Sequence, residues 1–416
     1  MKRLEKLLRD ENGNALVTVL VVVALLIILG TISLNSTIGE LQVSGNEKRQ
    51  RLAFYASESG LDYARAIIRR DFLAATNKTT FVSTFSTTPP DFTAPSGISF
   101  TVAPNGAASG SGTDSDPYVF RVISEGLGPG NSASGIEAVF NLVLPDAPIK
   151  FATFGDELVK FQNNADIYSY DHTVTSNPGS ATSTGEADVF SNGDVDFKNN
   201  STIDGDVLVA TGAPDLGSNI VILGDQSTDS DPAPLENPDP LGLLSGGLLD
   251  SRFTSATLDN NNDDLAISPY VTGTASAPVL NLNTTITLPA GDYYFTDITL
   301  GTAANIIADG IVNIYLDGPL EANNAQINST GVPTNFSIYS RSDQKIDFKN
   351  NILFRGLIYA PSADVEFQNQ LTLYGSIYAD NLVFKNRATI YYDTQMKYKF
   401  FSPGDIQLPI VAWRQL

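Results

Sequence analysis

The sequence contains no cysteine and a single histidine, His172, in 416 residues. The missing cysteines exclude disulfides, thiol catalysis and cysteine-based zinc sites. We expect no histidine-centred catalysis either, and interpret His172, beside Tyr170 and Asp171, as a surface side chain. Basic residues are also scarce, with 25 Lys and Arg against 46 Asp and Glu, a net charge of −21. This balance argues against a nucleic-acid partner, because binding phosphates requires a basic surface.

Charge is absent from one long stretch, since no charged residue occurs between Glu11 and Glu40. Its apolar part, residues 14–34, would rise about 31 Å as a helix, which matches the hydrocarbon thickness of a bilayer. A secretory signal peptide is the alternative, but its apolar region spans only about 7–15 residues. The basic leader, residues 1–13, predicts a single-pass inner-membrane helix with the leader cytoplasmic and the bulk exported.

The helix is predicted to continue beyond the membrane. No proline occurs before Pro89, and residues 35–72 are rich in Glu, Lys, Arg, Leu and Ala, with apolar residues at spacings of three and four. We therefore predict a helix over residues 14–73, with a softer or partly unwound section from Gly39 to Asn46, where Ser, Thr and Gly lower helix propensity.

Two features of this region resemble known proteins. Gly13 stands directly before the apolar run, as in the prepilin signal, and residues 40–61 read ELQVSGNEKRQRLAFYASESGL. Over residues 12–72 the chain resembles the N-terminal segment of PilX-type type IV minor pilins. The resemblance implies cleavage between Gly13 and Asn14 by prepilin peptidase, and later packing of the helix against other pilins in a filament.

The fifth residue after this cleavage site departs from the pattern. Most pilins carry a glutamate there that pairs with the N-terminal amine of a neighbouring subunit, whereas this chain has Thr18. A carboxylate in lipid is costly without such a partner. The departure indicates a position where no neighbour presents an amine, such as the leading end of a filament.

Residues 74–148 are predicted to form a connector and a small antiparallel sheet. Strand-like alternation occurs at residues 97–103, 118–124 and 136–143, separated by Gly- and Ser-rich turns. Such a sheet could bury Leu61, Ile67 and Ile68 on the outer face of the helix.

The rest of the chain carries an internal repeat. Copies with asparagine third and an apolar residue seventh begin at Phe161, Phe197, Glu321, Phe348, Phe367 and Phe384. A step near 18 residues fits these positions, with 36 interpreted as two steps and 27 as one step plus a loop. A second element, GLIYA and GSIYA, begins at Gly356 and Gly375. This periodicity predicts a parallel β-helix of the right-handed type over residues 149–401, and an α+β chain that is mainly β.

The repeated asparagines are interpreted as structural. Asparagine tolerates left-handed backbone angles at a corner, and its amide can bond to the asparagine of the next coil. The predicted ladder consists of Asn163, Asn199, Asn323, Asn350, Asn369 and Asn386.

Residues 224–290 are predicted to interrupt the β-helix as an inserted loop rich in Pro, Asp and Asn. Two triplets place oxygen ligands at near-alternate positions, as calcium loops do: Asp225, Asp229 and Asp231, and Asp259, Asn261 and Asp263. The match to an EF-hand is poor, because Asp264 stands where glycine is needed and Tyr270 where glutamate is needed. Solvated acidic loops are the favoured interpretation, with calcium as the alternative and no other cofactor expected.

Catalysis is weighed because β-helices also host polysaccharide-cleaving enzymes. Three i, i+2 carboxylate pairs could meet the separation that glycoside hydrolysis needs. These pairs are Asp194 with Asp196, Asp204 with Asp206, and Asp364 with Glu366. Because an acidic strand face produces such pairs anyway, we predict that the protein is not an enzyme.

The apolar tail, residues 402–416, is predicted to cap the open end of the β-helix, with docking on another subunit as the alternative. Two functional hypotheses follow. The first is a minor pilin at or near the tip of a type IV pilus or pseudopilus, displaying the β-helix for assembly initiation, or for contact with a tip adhesin or surface glycan. The second is a membrane-anchored β-helix that binds or cleaves carbohydrate.

Overall fold

In a computed structural model, the chain forms two units, Met1–Pro145 with Ser402–Leu416, and Asp146–Phe401. We call them the small unit and the repeat unit. The structure describes residues 11–94, 99–110, 117–176, 178–179 and 182–416, with side chains described from residue 15. Most of the predicted leader, residues 1–10, therefore lies outside the described residues.

The small unit is organised by helix α1 (Glu11–Ala74), which runs for 64 residues. Its length is about 96 Å at the usual rise per residue. The predicted unwinding between Gly39 and Asn46 is wrong, because the helix is unbroken there. Thr37 Oγ1 donates to the carbonyl of Ser33, so one of the polar residues that lowers propensity is satisfied within the helix itself.

A small antiparallel sheet packs against the C-terminal half of α1, as predicted. Leu61, Ile67 and Ile68 are buried. A short helix, α2 (Lys78–Thr84), connects α1 to the sheet. The strands lie in the order β1, β2, β3, β22, with bounds Phe100–Pro104, Tyr118–Leu127, Ala133–Leu142 and Ile410–Gln415.

The fourth strand corrects the prediction for residues 402–416. These residues do not cap the repeats; they belong to the small unit, where β22 pairs antiparallel with β3. Trp413 lies opposite Ala138, and Arg414 opposite Glu137, with which it forms an ion pair. The tail is apolar because it completes a sheet.

The helix and the sheet approach closely at Gly126 of β2. A Cβ at this position would lie 2.1 Å from the carbonyl oxygen of Ala53 and 2.3 Å from the amide nitrogen of Ser57, both in α1. Only glycine fits between the two elements without moving their backbones.

The repeat unit contains strands β4 to β21 and one helix, α3 (Leu248–Leu258). The first group of strands comprises β4 (Thr153–Phe161), β5 (Ala165–Tyr170), β6 (Val189–Ser191), β7 (Asp194–Ile203), β8 (Val207–Val209) and β9 (Asp215–Ile222). The second group comprises β10 (Val271–Thr274), β11 (Ala277–Leu282), β12 (Thr285–Phe295), β13 (Asp297–Leu300), β14 (Asn305–Leu316), β15 (Leu320–Asn323), β16 (Gln326–Ile327), β17 (Phe336–Ser340), β18 (Ile346–Lys349), β19 (Asn351–Phe367), β20 (Gln370–Phe384) and β21 (Arg387–Asp393).

Strands of the repeat unit pair in parallel with strands one repeat away, the antiparallel β10–β11 pair excepted. Tyr359 of β19 lies opposite Tyr378 of β20, a step of 19 residues. Phe161 lies directly opposite Phe197, so the 36-residue spacing is a single step with residues 171–188 as an excursion. Its interpretation as two steps is wrong. The 27-residue spacing is also one step, as predicted, with a short 3-10 helix at Pro333–Asn335.

The order of the repeats in space differs from their order in sequence. β4, the first strand of the unit, pairs in parallel with β20, near the end of the unit, and β5 pairs with β21. The chain therefore enters the stack in the middle, runs to one end at β9, begins again at the other end near β10, and returns to the middle. We call the β4–β20 junction the seam.

Residues 223–270, the return segment, connect the two ends of the stack. The predicted insert, residues 224–290, is therefore not an outward loop: it contains α3, β10 and β11, and reaches into β12. Glu236 bonds with Asn192, Leu241 with Tyr359, and Asn262 with Tyr294, each through at least one backbone group. The segment thus passes successive repeats on its way back.

Five phenylalanines of the repeated motif form one stack inside the unit. Adjacent ring centroids lie 4.6, 5.2, 4.4 and 4.6 Å apart, with interplanar angles of 2 to 7°. The rings follow the order Phe348, Phe367, Phe384, Phe161, Phe197. The stack continues across the seam, so the two groups of repeats share one core.

Candidate assembly surfaces

The N-terminal part of α1 is an apolar surface in search of a covering. Large apolar side chains are exposed from Leu16 to Val43, and no side chain of the most apolar window is buried. Among the described helices, α1 alone is long and apolar enough to cross a membrane. Thr31 Oγ1 donates to the carbonyls of Ile27 and Ile28, which suits a helix surrounded by lipid.

The predicted processing residues lie within this surface. Gly13 and Asn14 belong to α1, whose helical backbone begins at Glu11. Thr18 is exposed on the same helix, five residues after the predicted cleavage site. No carboxylate lies nearby along the helix, since the next acidic residue is Glu40.

On the repeat unit, the structure brings five of the six predicted asparagines together. Asn350 Nδ2 donates to Asn323 Oδ1 at 2.7 Å, and Asn369 Nδ2 to Asn350 Oδ1 at 2.9 Å. Asn386 Nδ2 donates to Asn369 Oδ1 at 2.9 Å, and Asn163 Nδ2 to Asn386 Oδ1 at 3.4 Å. The side-chain ladder therefore crosses the seam in the same order as the phenylalanine stack.

Asn199 lies outside this ladder among the described residues. Its neighbour Asn200 instead accepts a hydrogen bond from Asn219 at 2.9 Å. Asn200 and Asn219 both have positive φ, 41° and 59°, but in the ladder only Asn350 does. Laddering and the left-handed corner are thus mostly separate roles, carried by adjacent asparagines.

The tyrosines of the GLIYA and GSIYA elements hold chain segments onto the stack. Tyr378 OH accepts from the backbone N–H groups of Lys150 and Phe151, where the chain enters the unit. Tyr359 OH donates to Asp239 at 2.7 Å and accepts from the amide of Leu241. The repeat pattern identifies these tyrosines but not the segments that they bind.

The carboxylate pairs weighed for catalysis are used in ion pairs and backbone contacts. Asp196 lies 2.7 Å from Lys160 and 2.8 Å from Lys198, and Glu366 lies 3.1 Å from Lys345 and 2.5 Å from Lys385. Burial raises the pKa of Glu366, but the two lysines outweigh it and leave the pKa lowered. A general acid requires a raised pKa, so this pair is unsuited to glycoside hydrolysis.

The other two pairs also make structural contacts. Asp206 Oδ1 accepts from the amide of Asp225, and Asp364 Oδ1 accepts from Asn381 Nδ2. Asp194 and Asp204, the remaining members, lie on or directly after β7. These contacts join neighbouring repeats.

The candidate calcium triplets differ in what surrounds them. Asp225, Asp229 and Asp231 do not gather their carboxylates into a metal-sized cluster among the described residues. In the second triplet, between Asp259 and Asp263, Asn261 Oδ1 accepts from the amide of Asp292, and the amide of Asn261 donates to the Asp292 carbonyl. Asn261 thus docks the return segment onto β12. Calcium binding stays a prediction.

The interpretation of His172 as a surface side chain is wrong. Its side chain is 20% exposed, and Nδ1 lies 2.6 Å from Oδ2 of the fully buried Asp393. Asp171, His172 and Asp393 lie close enough to hold a metal ion. Asp171 Oδ2 accepts from Gln395 Nε2, and Asp393 Oδ1 accepts from the Gln395 amide. These bonds within the chain account for the cluster without a metal.

A groove in the small unit was not predicted from the sequence. It holds about 300 Å³ between α1 and the sheet, and is lined by Phe54, Glu58, Leu61, Asp62, Ile136, Ile410 and Trp413. The alternating IVAWR at residues 410–414 signals a strand, but nothing local shows which sheet it joins.

Two family models match the chain. A PilX N-terminal family model matches residues 12–62, and a domain of unknown function (DUF7305) matches residues 296–398. The resemblance to PilX-type minor pilins is thereby confirmed. The second match covers later repeats and carries no assigned function.

Comparison with solved structures finds the competence-associated pilin ComZ from Thermus thermophilus. It is 13% identical, and the alignment covers 88% of this chain and 97% of that chain with a TM-score of 0.36. A TM-score this low does not establish a shared fold. No curated protein matches the chain.

Proposed function

From the premise of a PilX-type N-terminal segment, we propose that this chain is a minor pilin that inserts α1 into a type IV pilus or pseudopilus. The observation that carries the proposal is the division of α1 itself. Its first part exposes apolar side chains from Leu16 to Val43, whereas its last part, including Leu61 and Ile68, is buried under the sheet. One half anchors and assembles, and the other half carries the rest of the subunit.

The proposed life of the subunit begins in the inner membrane, with the leader cytoplasmic and the bulk exported. Prepilin peptidase cleaves between Gly13 and Asn14, and α1 then leaves the lipid to pack against helices of other pilins. Both environments are apolar, so the same exposed side chains serve in each. The subunit ends on the pilus at the cell surface.

The repeat unit is proposed to be a parallel β-helix of the right-handed type. Parallel pairing at near-constant steps, the phenylalanine stack and the asparagine ladder support this assignment. A bulky unit is awkward along a packed shaft, which favours a position at or near the tip. There it would help to initiate assembly or contact a surface, through an adhesin or a glycan.

Substituting Gly13 with valine tests processing. We expect Gly13→Val to retain the leader, so that the membrane-bound chain keeps its full mass while the wild type loses 13 residues in a peptidase-dependent manner. Mass spectrometry of the purified chain measures the difference. Gly39→Val is the matched control, because a Cβ at Gly39 meets nothing within 4 Å. Equal masses for the wild type and Gly13→Val would show that no such cleavage occurs.

Substituting Thr18 with glutamate tests the tip position. The carboxylate of Thr18→Glu needs a cationic partner in an apolar setting, and the amine of a preceding subunit supplies one. We expect immunogold label against the repeat unit to move from filament ends to positions along the shaft. Thr18→Gln, of similar size without the charge, should leave the label at the ends. Wild-type label spread along the shaft contradicts the tip assignment.

A further inference from the structure

The groove of the small unit has the chemistry of a docking site. We propose that it receives an extended, basic segment of a neighbouring subunit, which adds to the free edge of β22 as a fifth strand. The neighbouring subunit as donor rests on the proposed pilus role. The preference for a basic extended segment rests on the groove alone.

The first observation is an edge strand without protection. Within the described part of the chain, β22 pairs only with β3, so its other edge is open. Edge strands are usually guarded by lysine, proline or a covering element. β22 reads IVAWRQ, and its one charge, Arg414, is already paired with Glu137. Such an edge favours strand addition, in which main-chain hydrogen bonds provide affinity.

The second observation is apolar area that the small unit leaves uncovered. Val411, Trp413 and Leu416 are 52%, 59% and 57% exposed. Trp413 and Ile410 face the helix side of the sheet and line the groove with Phe54. An added strand would place alternate side chains at the groove mouth and bury this area. Aromatic anchors of this kind dominate binding energy at interfaces.

The third observation selects the charge of the occupant. Glu58 and Asp62 line the helix side of the groove, both exposed and four residues apart on one face of α1. Like charges at this spacing repel. Arg65 lies 3.4 Å from Asp62, whereas Glu58 forms no ion pair among the described residues. A lysine or arginine in the added segment would complement Glu58.

A second copy of this chain is disfavoured as the occupant. The chain carries a net charge of −21, so two copies repel. Its exposed edge strand offers only Arg414, which is already engaged. The favoured occupant is therefore a different subunit with alternating apolar and basic residues.

Trp413 is the only tryptophan of the chain, so its fluorescence reports directly on the groove. The full chain in a non-ionic detergent is titrated with two ten-residue peptides that alternate valine with lysine or valine with glutamate. We expect the lysine peptide to shift the Trp413 emission to shorter wavelength and to saturate, with affinity about tenfold above that of the glutamate peptide. A lysine peptide with proline at its centre should lose binding, because proline removes a donor.

Matched variants separate groove charge from general charge. Glu58→Gln with Asp62→Asn should abolish the preference for lysine, whereas Glu40→Gln with Glu47→Gln, exposed on the same helix outside the groove, should retain it. Equal responses to both peptides, no response to either, or full binding of the proline peptide overturns the proposal.

In cells, Val411→Cys provides a unique thiol, because the chain has no cysteine. A thiol-directed crosslinker should join it to another pilin-like subunit. Crosslinks only between copies of this chain, or none in a chain that is processed at Gly13, contradict the docking proposal and leave the pilin proposal standing. An unprocessed chain contradicts the pilin proposal, and the peptide titration still decides the chemistry of the groove.

Discussion

Substituting Phe161 with alanine is expected to lower the free energy of unfolding of the repeat unit by about 3–5 kcal/mol. Phe161 is fully buried, and its ring lies 4.4 Å from that of Phe384 and 4.6 Å from that of Phe197. The variant opens a cavity at the seam, where strands distant in sequence meet. Loss of packing there should loosen both groups of repeats together.

The measurement is urea denaturation of the detergent-solubilised chain, followed by near-ultraviolet circular dichroism of the buried tyrosines. Hydrogen exchange adds position, because amides of β4 and β20 should exchange faster than those of β12 and β14. Phe161→Leu retains much of the volume and should cost clearly less. If Phe161→Ala leaves both exchange and the denaturation midpoint unchanged, the seam is not a packed contact.

Substituting Asp239 with alanine is expected to free the return segment. The Asp239 carboxylate accepts from the amides of Leu243 and Leu244, each at 2.8 Å, from the Ser245 amide at 3.2 Å, and from Tyr359 OH at 2.7 Å. Removing the acceptor leaves several donors unsatisfied, at about 1–3 kcal/mol for each buried group. The segment should then detach locally before the stack unfolds.

Limited proteolysis provides the readout, with faster cleavage expected within residues 240–247 of Asp239→Ala. Asp231→Ala is the matched control, because Asp231 is exposed on the same segment and closes a turn with Thr228 through its backbone. The prediction fails if both variants are cleaved at the wild-type rate, or if both are cleaved equally fast.

The features that the sequence predicts correctly are local or periodic. The helix is visible from the absence of charge and proline, and the strands of the small sheet from their alternation. Parallel pairing follows from the 19- and 17-residue repeats, because stacking requires like residues at like positions. The asparagines from Asn323 to Asn386 bond in the order that their spacing suggests.

The features that it does not predict depend on long-range choices among equivalent surfaces. Each repeat offers the same edge, so nothing local shows that Phe384 continues to Phe161 rather than to an end. The tail around Trp413 is recognisably apolar, but several open edges could receive it. His172 was judged from its neighbours in sequence, whereas its partner, Asp393, is 221 residues away.

The pairing of β3 with β22 gives the chain a modular design. Val143 and Gln407 form an antiparallel bridge directly beyond these strands, with N···O distances of 2.9 and 3.1 Å. The 263 residues between them thus occupy the place of a hairpin loop, which ordinarily needs about two to five residues. A cargo inserted there can be lengthened, exchanged or lost while the strands that frame it keep their register. The same anchor could therefore present different cargoes in related proteins without any change to the helix that assembles.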